Sequence, residues 1–153
     1  MATPIANIRT ATWLADAVIL LREEINENVT DPGPTKTGNS RFCLTAYPQR
    51  TTQYPVVTVV DRGVSNWRKG GMASTVSIQT LTIEIRVWGR NVKERDEITQ
   101  SILDRFRSRL NTFSSAEKMH NFRFGSMVNV DEPGDVGIKS KVINIQIDEI
   151  LGE

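Results

Sequence analysis

A chain of 153 residues has room for one domain, and a single core of that size needs neither metal nor disulfide to hold it. Hydrophobic residues at 39% and charged residues at 24% exclude a disordered chain, and 19 basic against 18 acidic side chains leave only a local patch to hold nucleic acid. The single cysteine, Cys43, excludes an intrachain disulfide and fits a reducing compartment.

Residues 11 to 28 are predicted to form an amphipathic helix. Leu14, Ala17, Val18, Leu21 and Ile25 recur at three and four, with Trp13 and Leu20 widening the stripe. Arg22, Glu23, Glu27 and Asn28 fall largely off it, and Thr10 or Thr12 is placed to cap the start. The apolar run Ala15 to Leu21 is broken by Asp16 and followed by Arg22, Glu23 and Glu24, far short of the roughly 20 apolar residues of a membrane span. The N-terminus lacks the basic, apolar and cleavage regions of a secretory signal, so the expectation is a soluble, cytoplasmic chain with no membrane partner.

Residues 31 to 40, Asp-Pro-Gly-Pro-Thr-Lys-Thr-Gly-Asn-Ser, are rich in breakers and predict a loop. Two β-prone runs follow, 42 to 47 and 54 to 61; the second is nearly all β-branched, with Pro55 suited to a strand's start or edge. Residues 62 to 74, with Gly63, Gly70 and Gly71, predict a turn-rich insertion. Leu81, Ile83, Ile85 and Val87 then alternate with Thr82, Glu84, Arg86 and Trp88, the period of a strand with one buried face.

Gly89-Arg90-Asn91 breaks that strand, and a second helix is predicted over 92 to 110. Ile98, Ile102, Leu103, Phe106 and Leu110 form its apolar stripe, with acidic residues leaning to its start and arginines to its end. Two further strands, 122 to 130 and 138 to 150, are joined by the turn Glu132 to Gly137. The order predicts an α+β fold: a mainly antiparallel sheet of four or five strands with two helices packed on one face, in one domain spanning 1 to 153.

Catalytic, cofactor-binding and metal-binding residues are not expected. His120 is the one histidine and falls in a polar stretch between predicted elements; Cys43 sits mid-strand between Phe42 and Leu44 and reads as a small buried hydrophobe. A zinc site would have to draw most of its ligands from carboxylates, which structural zinc rarely does. The loop from Gly33 to Ser40 has the glycine spacing of a phosphate loop but puts Asn39 where the lysine belongs, and a helix rather than a strand precedes it. Asp148 and Glu149 are neighbours on a strand and face opposite ways; Asp131, Glu132 and Asp135 lack calcium-loop spacing.

The predicted interaction residues are Arg62, Trp67, Arg68, Lys69, Met72, Arg86 and Trp88. Trp67 with Arg68 and Lys69 in a glycine-rich segment has the composition of a protein interface; the same trio suits stacking on single-stranded nucleic acid, or Trp67 folds back on the core. Trp88 stands beside Arg86 on the polar side of its strand, where it suggests a covered surface or packing against the Arg86 stem or the first helix.

Three stretches of the chain resemble the tail terminator (tail completion) proteins of long-tailed phages and related viruses. They are the N-terminal helix followed by a loop and Tyr54-Pro55-Val56-Val57-Thr58-Val59-Val60-Asp61, the run Leu81 to Arg90 passing into a helix that begins Lys93-Glu94-Arg95-Asp96-Glu97, and the closing strands ending Ile143-Asn144-Ile145-Gln146-Ile147-Asp148. The resemblance is one of element order and composition over most of the chain. It implies a structural virion protein, assembled in the host cytoplasm, that forms a ring (usually a hexamer) on the tail tube, stops tube polymerisation and meets the neck or connector proteins. It also implies no enzymatic activity, no cofactor and no specific nucleic acid, only a genome passing through the ring. The segments 62 to 74 and 31 to 40 would then be loops at the faces or lumen of the ring. The alternatives are another neck or head-closure connector, a nucleic-acid-binding α+β domain, and a small hydrolase or isomerase using an acid pair.

Overall fold

The structure, a computed structural model, describes residues 13–32, 42–45, 55–69, 77–115, 120–130 and 139–151. Their order is α1 (Trp13–Asn28), β1 (Cys43–Leu44), β2 (Val56–Lys69), β3 (Ser77–Gly89), α2 (Val92–Ser115), β4 (His120–Val130) and β5 (Lys139–Leu151). The strands form one sheet in the order β1-β2-β3-β5-β4. Among these, β1 runs parallel to its neighbour and the other pairings are antiparallel. The α+β fold is as the sequence predicts. α1 packs on β1 and β2, and α2 packs on β3, β4 and β5.

The sheet's helix-covered side follows from strand alternation. Val57, Val59, Leu81, Ile83, Ile85, Val87, Ile143, Ile145 and Ile147 are all fully buried there, against Ala17, Leu20, Leu21 and Ile25 of α1 and Ile98, Ile102, Leu103 and Phe106 of α2. At about 1.5–3 kcal/mol for each large apolar side chain removed from water, this seam is the main favourable term in folding. An edge-to-face series, Phe106 to Phe122 at 5.8 Å and Phe122 to Phe124 at 5.7 Å, ties α2 to β4.

The stripe of α1 departs from the prediction. Leu14 is exposed, while Glu23, expected off the stripe, is buried together with its neighbour Glu24. Each acid is held by charge: Arg22 Nε donates to Glu23 at 2.8 Å, and Arg105 of α2 donates to Glu24 at 2.6 Å with Arg109 at 3.4 Å. Opposite charge within hydrogen-bond reach is what makes burial of a carboxylate tolerable. The expected caps Thr10 and Thr12, and the side chain of Trp13, lie outside the described residues.

The join between β3 and α2 is close-packed. A Cβ on Gly89 would stand 2.8 Å from the backbone nitrogen of Arg95, so no larger residue fits without a shift of that backbone. Asn91 caps the helix, its Oδ1 accepting from the Glu94 N–H at 2.8 Å, while Glu94 accepts from the Arg90 N–H at 3.1 Å and from its guanidinium. α2 continues to Ser115, beyond its predicted end at Leu110.

The largest correction concerns residues 62 to 74. From 62 to 69 the chain is not a turn-rich insertion but the second half of β2. Its glycine signals a bulge rather than a turn. Arg62 and Gly63 together interrupt the pairing with β3, with Gly63 at φ 107°, and Asn66 and Trp67 repeat the arrangement further on. β4 is built likewise, with Asn121 and Phe122, then Gly125 and Ser126, at its two shifts of register against β5. His120, expected between elements, is the first residue of β4. β1 is two residues where 42 to 47 were predicted, and residues 33–40 and 131–138, predicted as loop and turn, lie outside the described residues.

Candidate interaction surface

The sheet's other side carries the side chains that the sequence marks as polar. Glu84 stands between two arginines: its Oε1 is 3.2 Å from Arg86 Nε, and its Oε2 is 3.4 Å from Arg62 Nε. The Arg86 guanidinium lies 5.1 Å from the centre of the Trp88 ring, a cation–π distance. The structure therefore joins Arg62, Arg86 and Trp88 into one cluster through Glu84, a residue that sequence reasoning passed over as a site. Its signal was the spacing Glu84-Ile85-Arg86, which puts both charges on one side of a strand.

This cluster is mostly covered. Trp88 and Glu84 are buried, Arg86 is half-buried, and Arg62 is exposed. The Trp88 indole Nε1 and the hydroxyl of Thr58, which is fully buried, have no hydrogen-bond partner among the described residues. Burial of Trp88 within the single chain, with Arg86 over it, is the packing alternative given above. Arg68 and Lys69 extend β2 opposite Ile78 and Ser77, and Trp67 lies in the second bulge. The side chains of these three residues, and the whole of Met72, lie outside the described part of the structure.

A second polar group sits further along the same side. Asp148 accepts from the Thr80 hydroxyl at 2.7 Å and from Asn121 Nδ2 at 3.1 Å, with Arg123 at 3.4 Å. Burial alone would raise the pKa of this carboxyl, but the hydrogen bonds from Thr80 and Asn121 and the charge of Arg123 hold it below the usual value. Glu149, on the helix side, is buried with the Gln79 amide 2.5 Å away, and burial pushes its pKa up. The two acids face opposite ways and do not form a catalytic pair.

Cys43 and His120 lie on the two outermost strands of the sheet, four strand spacings apart or on the order of 19 Å, so they do not form a nucleophile and base. Among the described residues no group of three or more His, Cys, Asp or Glu side chains is placed to hold a metal ion. No described helix is long and apolar enough to cross a membrane.

Apolar exposure is concentrated elsewhere. Met127 and Val128 of β4 are each 51% exposed, and Val64 of β2 is 40% exposed. Leu14 and Val92 are the other large apolar side chains left open among the described residues. Sequence reasoning missed the first three because it placed Val64 in a loop and read β4 as one regular strand. The clue was Gly125 inside an otherwise β-prone run, which marks a bulge. Compared with protein-family models and with characterised proteins, the chain matches none.

Proposed function

We propose that this chain is a structural assembly protein of the tail terminator kind, which forms a ring on the end of a tail tube, stops its growth and joins it to the neck. The observation that carries the reading is the placing of exposed apolar side chains on the outer parts of the sheet: Val64 on β2, and Met127 and Val128 on β4. Soluble chains protect sheet edges with charge, and an apolar edge marks a surface that meets another protein. The resemblance in element order supports the same reading, from the N-terminal helix through the β3–α2 passage to the closing strands.

Mixing the full chain with tail-tube protein from the same genome and imaging by negative stain tests it. Rings capping tubes of uniform length are the expected result. Tubes that grow unchanged, with the chain retained by DNA at moderate salt, would overturn the reading in favour of a nucleic-acid-binding domain. Binding to a connector ring but not to the tube would overturn it in favour of a neck protein.

A further inference from the structure

We propose that the end of β4, from Ser126 to Val130, is the edge on which a second copy of this chain pairs through the same segment, antiparallel about a two-fold axis at Val128. The contact joins two chains and no more. It goes beyond the ring reading and stands or falls without it.

β4 is an outermost strand among the described residues, and Gly125 to Asn129 are exposed without a break. Bulges at Asn121 and Phe122 and at Gly125 and Ser126 disrupt the rest of its edge, as bulges do on protected edges. Beyond the second bulge the register is regular, Met127 to Val130 opposite Ile143 to Ser140. Met127, opposite Ile143, lies on the helix side and Val128, opposite Val142, on the other, and each is 51% exposed. A helix or a globular surface laid on the sheet covers one of the two. A strand added at the edge sets neighbours beside both.

Charge and fit make that strand the same segment of a second copy. From Phe124 to Val130 the chain has no charged residue, so it offers a partner no charge to match, and two copies meet without like-charge repulsion. A two-fold axis normal to the sheet keeps helix side with helix side. Centred at Val128, it places Val128 opposite its mate, Met127 opposite the second copy's Asn129, and Ser126 opposite the second copy's Val130, using the edge up to the bulge. Arg123 then stands on the order of 30 Å from its mate along the strands, beyond the reach of screened charge. α2 packs on β3, β5 and β4. Three strand spacings, about 14 Å, separate β5 from its mate, more than the roughly 8–10 Å between packed helices, so the sheets join without the two copies of α2 colliding.

The test uses the full chain, with single Val128→Lys and Val128→Glu variants followed by sedimentation velocity from micromolar to near-millimolar concentration. Free wild type is a monomer in equilibrium with a dimer. Each variant alone sets like charge against like at the axis and loses about tenfold or more in association. Its melting temperature at dilute concentration is unchanged, because Val128 is exposed. An equimolar mixture of the two recovers a dimer with one copy of each, read by native mass spectrometry, which only a self-pairing edge allows. Wild type that stays monomeric, or single variants that associate as wild type does, would overturn the proposal. So would a mixture no more associated than its components, which gives the edge to a different strand. Tube capping is read separately: a chain that pairs but leaves tubes growing keeps this contact and loses the ring reading, and one that caps tubes but never pairs does the reverse.

Discussion

The side-chain amide of Asn26 holds both backbone polar groups of Cys43: its Oδ1 accepts from the Cys43 N–H at 2.9 Å, and its Nδ2 donates to the Cys43 carbonyl at 3.2 Å. A helix side chain thus takes the place of a neighbouring strand for β1, whose two residues could not hold themselves. On the inner side the Val57 N–H donates to the Phe42 carbonyl at 2.7 Å. Asn26→Ala removes both bonds from Asn26 and leaves two backbone groups without that partner beside a buried residue. The expected loss is about 1–3 kcal/mol in urea denaturation. A change within experimental error would mean that β1 is held by something other than Asn26.

Two glycines are required for different reasons, and substitution separates them. Gly89→Ala drives a Cβ against the Arg95 backbone at 2.8 Å, which has no flexible end to yield, so a loss of about 1–3 kcal/mol is expected. Gly63→Ala meets nothing within 4 Å and costs only the backbone strain of φ 107°, of the order of 1–2 kcal/mol. A second residue at each site tells crowding from strain. Gly89→Ser should match or exceed the alanine loss, whereas Gly63→Asn should recover part of it, since asparagine tolerates positive φ. Equal losses for both residues at both sites, read by thermal unfolding, would show that the two glycines serve one purpose.

Thr58 offers a gain in stability. Its hydroxyl is buried with no hydrogen-bond partner among the described residues, and valine has nearly the same shape. Thr58→Val should stabilise the chain by about 1 kcal/mol, since it removes a desolvated polar group and leaves no cavity. Thermal unfolding at neutral pH reads the change; a lower melting temperature would show that the hydroxyl does find an acceptor.

The neighbours Asp148 and Glu149 give the chain opposing pH dependences. Asp148 titrates below its ordinary 3.8 in the folded state, so its contribution is present above that pH and is lost as pH falls through the folded value. Glu149 titrates above its ordinary 4.5, so the folded chain holds the proton more tightly and stability falls as pH rises from 4.5 through the folded value. Asp148→Asn should therefore destabilise at pH 7, by about 1–3 kcal/mol, with the difference shrinking in acid. Glu149→Gln should stabilise at pH 7 and leave stability below the ordinary value of 4.5 nearly unchanged. Denaturation of both variants across acid and neutral pH checks the signs together.

The helices and the two central strands were legible because their burial is one-sided. Leu81, Ile83, Ile85 and Val87 alternate as cleanly in sequence as in the sheet, and Ile98, Ile102 and Phe106 face the core as their spacing requires. What misled were residues whose local preference and final position differ. Gly63 reads as a turn but sits in a bulge, so half of β2 has the look of an insertion. Glu23 reads as solvent-facing because its partner Arg22 is adjacent and uninformative, and the Arg105 that holds Glu24 is 81 residues away. Periodicity reports what a residue prefers, not which distant charge will meet it. Of the interaction residues, Arg86 and Trp88 stand on one strand face as their alternation requires. That Arg62 joins them through Glu84 depends on a register that only the folded sheet supplies.

The four bulges also determine the sheet's form. β2 sets fourteen residues against twelve of β3, and β4 sets eleven against nine of β5, while β3 and β5 match residue for residue. Each extra residue is taken up as a local bend and added twist of its strand, not as added length. The bulged strands β2 and β4 therefore bend and twist more than the regularly paired β3 and β5 between them, so the sheet's outer parts turn away from its middle.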